Sequence, residues 1–348
     1  MNILIRQILL IVWEKHVSCQ VINHQQSGVR ARVIRSGKKD VLCINMNHTP
    51  TDGSGLKEFV KILASIYTKL LNDPDLEVNP HLDGDRSLKQ VTENFTFFQK
   101  LKFAREGFSS PKKGVSWSFD WEKSDKEDRR FFTTTKIAAE TFDRIKSYSK
   151  TNNATINDMV LTAFIRSFTL TNVRNSNAAK PIIVPFDLRK YVKPGNGGAI
   201  CSLTGSLICN IGSVAGNSFD DTLIKVRDEM NKKKQLHAEM NMITQIYVLS
   251  KFINYGKLKE QLMNRKMPPI PLVTNVGIIK NEDINFNNIP VEDAFIAGAI
   301  SLGNFFCMGY STFQEVITFS IGYTGGDIQE QKVKVFLNNF KSELESIR

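Results

Sequence analysis

Cysteine is scarce in this chain of 348 residues, and the few cysteines follow no recognisable spacing. The five, an odd number, lie at wide and irregular intervals: Cys19, Cys43, Cys201, Cys209 and Cys307. A disulfide framework needs paired cysteines, and zinc or redox sites of the C-x-x-C type need close pairs, so the pattern argues against both. We therefore predict reduced, mostly buried thiols in a cytoplasmic protein.

Motifs for metal, nucleotide and hydrolase chemistry are also missing. The sequence contains no HExxH or HxH pattern for a metal and no GxSxG turn for a hydrolase nucleophile. The glycine-rich residues 195–198 lack the spacing and the following lysine of a phosphate-binding loop, and are predicted to be a flexible connection. The sequence thus predicts neither a metal site nor a bound cofactor.

Long hydrophobic runs are absent as well. The one candidate for a membrane segment is residues 1–13. It is interrupted by Arg6 and Gln7, and no small-residue cleavage site follows it. We interpret this stretch as a buried strand or helix and predict no membrane span.

Acidic residues are outnumbered, since 46 lysines and arginines face 35 aspartates and glutamates, a net charge of +11. Such an excess favours an anionic partner, although it also serves solubility. No long basic run is interleaved with aromatic residues, so we predict no nucleic-acid interface; a nucleic-acid-binding protein would rest on charge alone. A predicted basic helix over 218–240 fits either contact with phosphates or an acidic protein, or an ordinary solvated face.

What the sequence does contain is typical of globular α/β proteins. With 41% hydrophobic residues, a chain of this length predicts about two domains. Segments with strand character alternate with amphipathic helices, which favours the α/β class. We predict a hairpin over 28–46, followed by a loop of turn formers over 47–55 and a helix over 56–70. Further along, we predict strands over 117–121 and 181–186, a buried helix over 159–168, and late strands over 272–279 and 316–323. Residues 77–128 are polar and irregular, so we place a boundary within 107–128 and divide the chain into 1–115 and 116–348.

The most informative stretch lies between the predicted hairpin and helix, where His48 is followed by Asp52 and Gly53. A histidine exchanges protons readily near neutral pH, which suits a general base. Gly53 removes side-chain bulk at a helix start, so backbone N–H groups could approach a developing negative charge. Asp52 can brace the loop by an ion pair or by backbone hydrogen bonds. By itself, the pattern fits either a functional histidine or a polar turn.

In its wider setting, this stretch resembles a known family signature. Residues 45–55, NMNHTPTDGSG, resemble the HHxxxDG motif of condensation domains of nonribosomal peptide synthetases and of chloramphenicol-acetyltransferase-like, CoA-dependent acyltransferases, including stand-alone alcohol acetyltransferases. Further matches come in the family's order: TINDMV from residue 155, VPFDLRKY from 184, LTGSLICN from 203, VTNVG from 273 and FSIGYTGGD from 319. Six weak signals in order, spanning nearly the whole chain, are more specific than any one of them.

The resemblance implies a fold, a reaction and roles for several residues. The fold is a pseudo-dimer of two α/β subdomains with mixed sheets and an active-site tunnel between them, residues 1–115 forming the N-terminal subdomain. The reaction moves an acyl group from a pantetheine thioester, on CoA or an acidic carrier protein, to an alcohol or amine. His48 would act as general base, Asp52 would pair with Arg189, and Gly53 would keep the tunnel open. Weaker candidates for lining the tunnel are Asn47, Asn210, Asn275 and Ser311.

Two departures from the family pattern stand out. Asn47 replaces the first histidine of the HH pair, and only 47 residues precede His48, where the family has many tens more. We therefore expect an incomplete N-terminal subdomain, in a fragment or in a chain completed by an upstream segment or by another chain. The alternative to an enzyme is a degenerate condensation-like domain that binds a carrier protein or acyl thioester. Asn47 and the short start favour that alternative, whereas the intact His48, Asp52 and Gly53 disfavour it.

Overall fold

The computed structural model of the chain describes residues 9–10, 28–36, 39–79, 84–107, 130–171, 181–193, 199–214, 216–254, 256–258, 260, 270–298, 306–324 and 327–348. Three predictions lie wholly or mostly outside these residues: the buried element over 1–13, a strand over 117–121 and the connection over 195–198. The boundary placed within 107–128 also lies almost entirely outside them, so the division into 1–115 and 116–348 stays a prediction.

A hairpin and a long helix form the first part of the fold. After the short strand β1 (Leu9–Leu10), β2 (Val29–Ser36) pairs with β3 (Lys39–Met46) in antiparallel register, as predicted. Every second side chain of β3 is buried, which is the period of a strand with one covered face. α1 (Gly53–Asn72) follows and buries Leu56, Val60 and Ala64, spaced four residues apart on one helix face.

Two helices occupy a stretch for which the sequence predicted irregular structure. They are α2 (Lys89–Thr92) and α3 (Phe97–Gly107). At the start of α3, the Gln99 side chain accepts a hydrogen bond from the Thr96 amide at 2.8 Å, and the Thr96 hydroxyl accepts one from the Gln99 amide at 3.3 Å. This reciprocal pair is a capping box, which satisfies amides that a helix start leaves without partners. The prediction for this part of 77–128 was therefore wrong.

A six-stranded mixed sheet organises the rest of the chain. The strands are β4 (Arg130–Ile137), β5 (Ile182–Asp187), β6 (Thr204–Cys209), β7 (Leu272–Ile278), β9 (Cys307–Phe313) and β10 (Val316–Thr324). Their spatial order is β4-β10-β9-β7-β5-β6. β7 runs parallel to both β5 and β9, and the remaining neighbours are antiparallel. The predicted α/β class with mixed sheets is confirmed.

The helices of this part pack on the sheet around an aromatic core. They are α4 (Ala139–Thr151), α5 (Ile156–Thr171), α6 (Phe219–Gln235), α7 (Asn241–Leu249) and α8 (Asp327–Glu345). α5 is buried almost all round, and its Phe164 lies 5.3 Å, centroid to centroid, from Phe336 of α8. The helix predicted over 218–240 ends at Gln235, because His237 adopts a left-handed conformation with φ of 51°.

The hairpin is covered by residues from far along the chain. Leu42, Ile44, Leu56 and Val60 share one buried cluster, the hairpin core, with residues 279–296, namely Ile279, Ile284, Phe286, Ala294 and Ile296. The short strand β8 (Asp293–Ala294), in the same segment, pairs in parallel with β1. Segments separated by more than 200 residues therefore build this region together. Within the described ranges, no helix is both long and apolar enough to cross a membrane.

Candidate active site

The loop of residues 47–52 carries His48 from the end of β3 to the start of α1. The Asn47 amide donates to the Gly28 carbonyl at 2.8 Å, and the Asn47 side chain accepts from the Thr49 amide at 2.9 Å. An asparagine that bonds to the backbone two residues on is a common turn former. Asn47 thus shapes the turn that exposes His48, whereas Asp52 at the end of the loop is buried.

Asp52 is the best-connected side chain of the loop. It is the N-cap of α1, and its Oδ1 accepts from the Gly55 amide at 2.9 Å. Its Oδ2 accepts from Arg189 Nη1 at 2.9 Å, from the Leu203 amide at 2.7 Å and from the Thr204 hydroxyl at 3.1 Å. Only 4% of the Asp52 side chain is exposed. One buried carboxylate thus joins α1 to the turn after β5 and to the start of β6.

The surroundings of Asp52 keep it ionised. Burial alone would raise the pKa of this carboxyl, but the hydrogen bond from Arg189, the amides of Gly55 and Leu203, and the Arg189 charge together hold the pKa below its usual range. Asp52 is therefore a fixed negative charge near neutral pH. Its contacts hold the end of the loop in place.

Arg189 lies in a short 3-10 turn (Leu188–Tyr191) that directly follows β5. Its Nη2 donates to the Cys201 carbonyl at 2.7 Å, and its Nη1 also contacts Asp187 at 3.1 Å. Burial would lower the pKa of the Arg189 guanidinium, but Asp52 and Asp187 outweigh burial and raise it. The structure therefore brings together Asp52 and Arg189, the two residues that the family resemblance paired.

Asp187 is a member of this network that sequence reasoning did not select. Its Oδ2 accepts from the Ser54 hydroxyl at 2.6 Å, and its Oδ1 accepts from the Arg189 amide at 2.9 Å. Asp187 thus clamps the first turn of α1 to the turn that carries Arg189. Its position two residues before Arg189, at the end of the strand predicted over 181–186, is the sequence feature that could have identified it.

Gly53 has a packing role in the structure. A Cβ added at this position would lie 2.5 Å from Cγ1 of Val276 on β7. Real side chains do not approach so closely, so a larger residue would push α1 and β7 apart. One turn later, Lys57 donates to the Val276 carbonyl at 2.8 Å, and burial lowers the pKa of this lysine. The helix that follows the loop is therefore fitted closely against the central sheet.

The weaker candidates are spread more widely. Asn275 is exposed on β7, next to Val276, and its side chain accepts from the Gly277 amide at 2.8 Å. Ser311 is buried on β9 and accepts from the Ile296 amide at 3.0 Å. Asn210 directly follows β6. Thr204, which contacts Asp52, begins that strand, so about 20 Å of extended strand separates Asn210 from Thr204. The structure thus keeps Asn275 near α1, gives Ser311 a backbone contact and sets Asn210 apart from Asp52.

The charged side chains of the basic helix α6 differ in their surroundings. Arg227 contacts Asp228 at 2.9 Å and also donates to the Asn152 carbonyl at 2.9 Å. Lys225 and Lys232, seven residues and thus two turns apart, are exposed on one side of the helix. Part of the predicted basic stripe therefore serves the fold, and part faces solvent.

Comparison with solved structures identifies the fold. The chain has the fold of condensation domains and CoA-dependent acyltransferases, as predicted. No family model matches the sequence, and no curated protein matches it significantly. The condensation domain of the Monacolin K polyketide synthase superposes with a TM-score of 0.61 at 12% identity, covering 97% of this chain and 79% of that one.

Two further structures widen the range of reactions on this fold. The epimerization domain from the third module of tyrocidine synthetase B gives a TM-score of 0.60 at 10% identity, covering 98% of this chain and 79% of that one. The trichothecene 15-O-acetyltransferase from Fusarium sporotrichioides gives 0.57 at 10% identity, covering 93% and 71%. One fold thus supports condensation, epimerization and acetyl transfer, so the reaction of this chain must be argued from its own site.

Proposed function

We propose that this protein transfers an acyl group from a pantetheine thioester to an alcohol or amine, with His48 as the general base. The observation that carries the proposal is the fixed loop: an exposed histidine lies four residues before a buried, ionised aspartate that is bonded to Arg189, Leu203 and Thr204. A base works best when its backbone is held in place, because a misplaced proton acceptor loses much of its effect.

The proposed reaction needs only one proton acceptor. The neutral His48 imidazole takes the proton of the acceptor's hydroxyl or amine as the oxygen or nitrogen attacks the thioester carbonyl. The tetrahedral oxyanion then collapses and breaks the carbon–sulfur bond. The leaving thiolate recovers the proton from the imidazolium, so ester or amide and free thiol are formed and His48 returns to its neutral state. No covalent enzyme intermediate is required.

The roles of the surrounding residues follow from their contacts. Asp52 and Arg189 hold the end of the loop, and Asp187 ties that pair to Ser54. None of them is proposed to exchange a proton. The donor is proposed to be CoA or an acidic carrier protein bearing a phosphopantetheine thioester, and no metal or bound cofactor is proposed.

The test is thiol release from acetyl-CoA and longer acyl-CoAs, and from acyl carrier proteins, with a panel of alcohols and amines. We expect acceptor-dependent release, and a loss of about a hundredfold or more in His48→Ala. Thr49→Ala changes the next exposed side chain of the same turn and is the matched control, with activity expected near that of the wild type. Circular dichroism of both variants shows whether the fold is kept.

Two results would contradict the proposal. Acceptor-dependent release that survives in His48→Ala would remove His48 from the reaction. A folded wild-type protein that releases no thiol with any donor, yet binds acyl-CoA or an acyl carrier protein in equilibrium titrations, would instead establish the alternative of a binding domain.

A further inference from the structure

The outward face of α3 carries large apolar side chains in contact with water. Phe97, Phe98 and Leu101 are 73%, 80% and 58% exposed. At 3.6 residues per turn, these three positions lie within about 100° of one another around the helix axis. The opposite face of α3 is buried through Phe103, and Ala104 is buried at the edge of the exposed face, beside Phe97. Apolar side chains grouped in this way on a surface mark a site of interaction more often than scattered ones do.

Basic residues continue the same face one turn later. Lys102 and Arg105 are exposed and lie on the outward side of α3, beside the apolar three. The single acidic residue of α3, Glu106, lies at the edge of this face, where it contacts Lys102 at 4.0 Å and accepts a hydrogen bond from Asn241 of α7. The outward face of α3 therefore combines an apolar half with a positively charged half.

A fourth exposed apolar residue, Phe252, lies near the end of the neighbouring helix α7. α3 and α7 pack along their lengths, and the bond between Glu106 and Asn241 places the start of α7 at the end of α3. Phe252, in the turn that follows α7, therefore lies level with the start of α3. It is 81% exposed, and Lys251 precedes it. A further exposed aromatic side chain thus lies level with the apolar half of α3, at the end of its neighbour.

We propose that this surface docks on an anionic lipid membrane. In this arrangement, Phe97, Phe98, Leu101 and Phe252 enter the boundary between headgroups and acyl chains, and Lys102 and Arg105 meet the lipid phosphates. The charge of the face and the net charge of +11 are complementary to an anionic surface. The aromatic residues project from a convex helix, which suits insertion into a deformable interface better than a fit to a rigid protein pocket. Docking on this face is peripheral and involves no spanning helix.

The experiment is sedimentation of the full chain with vesicles of phosphatidylcholine alone, or of phosphatidylcholine mixed with phosphatidylserine. We expect binding to the mixed vesicles that weakens with added salt. Phe97→Ser combined with Phe98→Ser should lower the partition coefficient about tenfold or more. Lys102→Gln combined with Arg105→Gln should lower it about tenfold.

The controls make equivalent changes on α6. Ile224→Ser replaces an exposed apolar residue, and Lys225→Gln combined with Lys232→Gln removes the same net charge. Both should bind the mixed vesicles as the wild type does. An equal loss in the charge control would show that binding follows net charge and would overturn the assignment to α3. No binding to mixed vesicles, or undiminished binding of both α3 variants, would overturn it as well.

Discussion

The buried carboxylate of Asp52 offers the most direct test of the site's construction. We consider Asp52→Ala, which removes the acceptor of four hydrogen bonds without adding bulk. Asp52→Ser is the informative companion, because serine caps helices about as well as aspartate does but cannot reach the same set of partners.

The contacts of Asp52 set how much unfolding free energy each variant should lose. In Asp52→Ala, the buried amide of Leu203 loses its acceptor, which costs about 1–3 kcal/mol. Loss of the N-cap of α1 costs about 1 kcal/mol more. Arg189 is 28% exposed and keeps its contact with Asp187, so the broken ion pair costs less than a fully buried one would. We expect the free energy of unfolding to fall by about 3 kcal/mol in Asp52→Ala and by about 2 kcal/mol in Asp52→Ser.

The assay is urea unfolding followed by circular dichroism at neutral pH. Asp75→Ala, an exposed aspartate in the turn after α1, is the control and should change the unfolding free energy by less than about 0.5 kcal/mol. A loss below about 1 kcal/mol in Asp52→Ala would refute the network as a source of stability. Equal losses in the alanine and serine variants would refute the capping contribution.

Two further predictions follow from the same site. Because the pKa of Asp52 is lowered in the folded state, its carboxylate contributes stability that is fully present above about pH 4, the unfolded value, and is lost as the pH falls through the folded pKa. The difference in urea midpoint between wild type and Asp52→Ser should therefore narrow only in acid; narrowing toward alkaline pH would contradict this. Gly53→Ala should lower the free energy of unfolding by about 1–3 kcal/mol, because the new methyl group would collide with Val276. In a Val276→Ala background, the same Gly53→Ala change should lower it by much less. Unchanged stability in Gly53→Ala alone would show that the helix and strand can separate freely.

Local patterns predicted the parts of the fold that local chemistry specifies. The hairpin, α1 and the buried helix α5 follow from apolar periodicity, and the loop between β3 and α1 follows from its turn formers. The helix α3 was missed although Thr96 and Gln99 have the spacing of a capping box, because the polar surroundings outweighed that signal. Its exposed Phe97 and Phe98 also hid the usual amphipathic pattern.

The remaining parts of the site depend on contacts between distant segments. Asp187 meets Ser54 across 133 residues of sequence, and Asp52 meets the Leu203 amide across 151. Single-sequence patterns carry no information on which distant strand ends adjoin. The pairing of Asp52 with Arg189 was available only through the family resemblance, and the contact of Gly53 with Val276 could not have been predicted by either route.

The hairpin core sets the order in which this protein can fold during its synthesis. Lys57 on α1 contacts Val276, which is synthesised 219 residues later. This face of α1 therefore stays uncovered until the segment around Val276 has been made. At about 5–20 residues per second, the ribosome needs roughly 10–45 s to supply it. Throughout that interval, the apolar sides of β3 and α1 lack their cover, a state that invites chaperone binding or aggregation. Slowed translation before residue 279 should therefore lower the soluble yield.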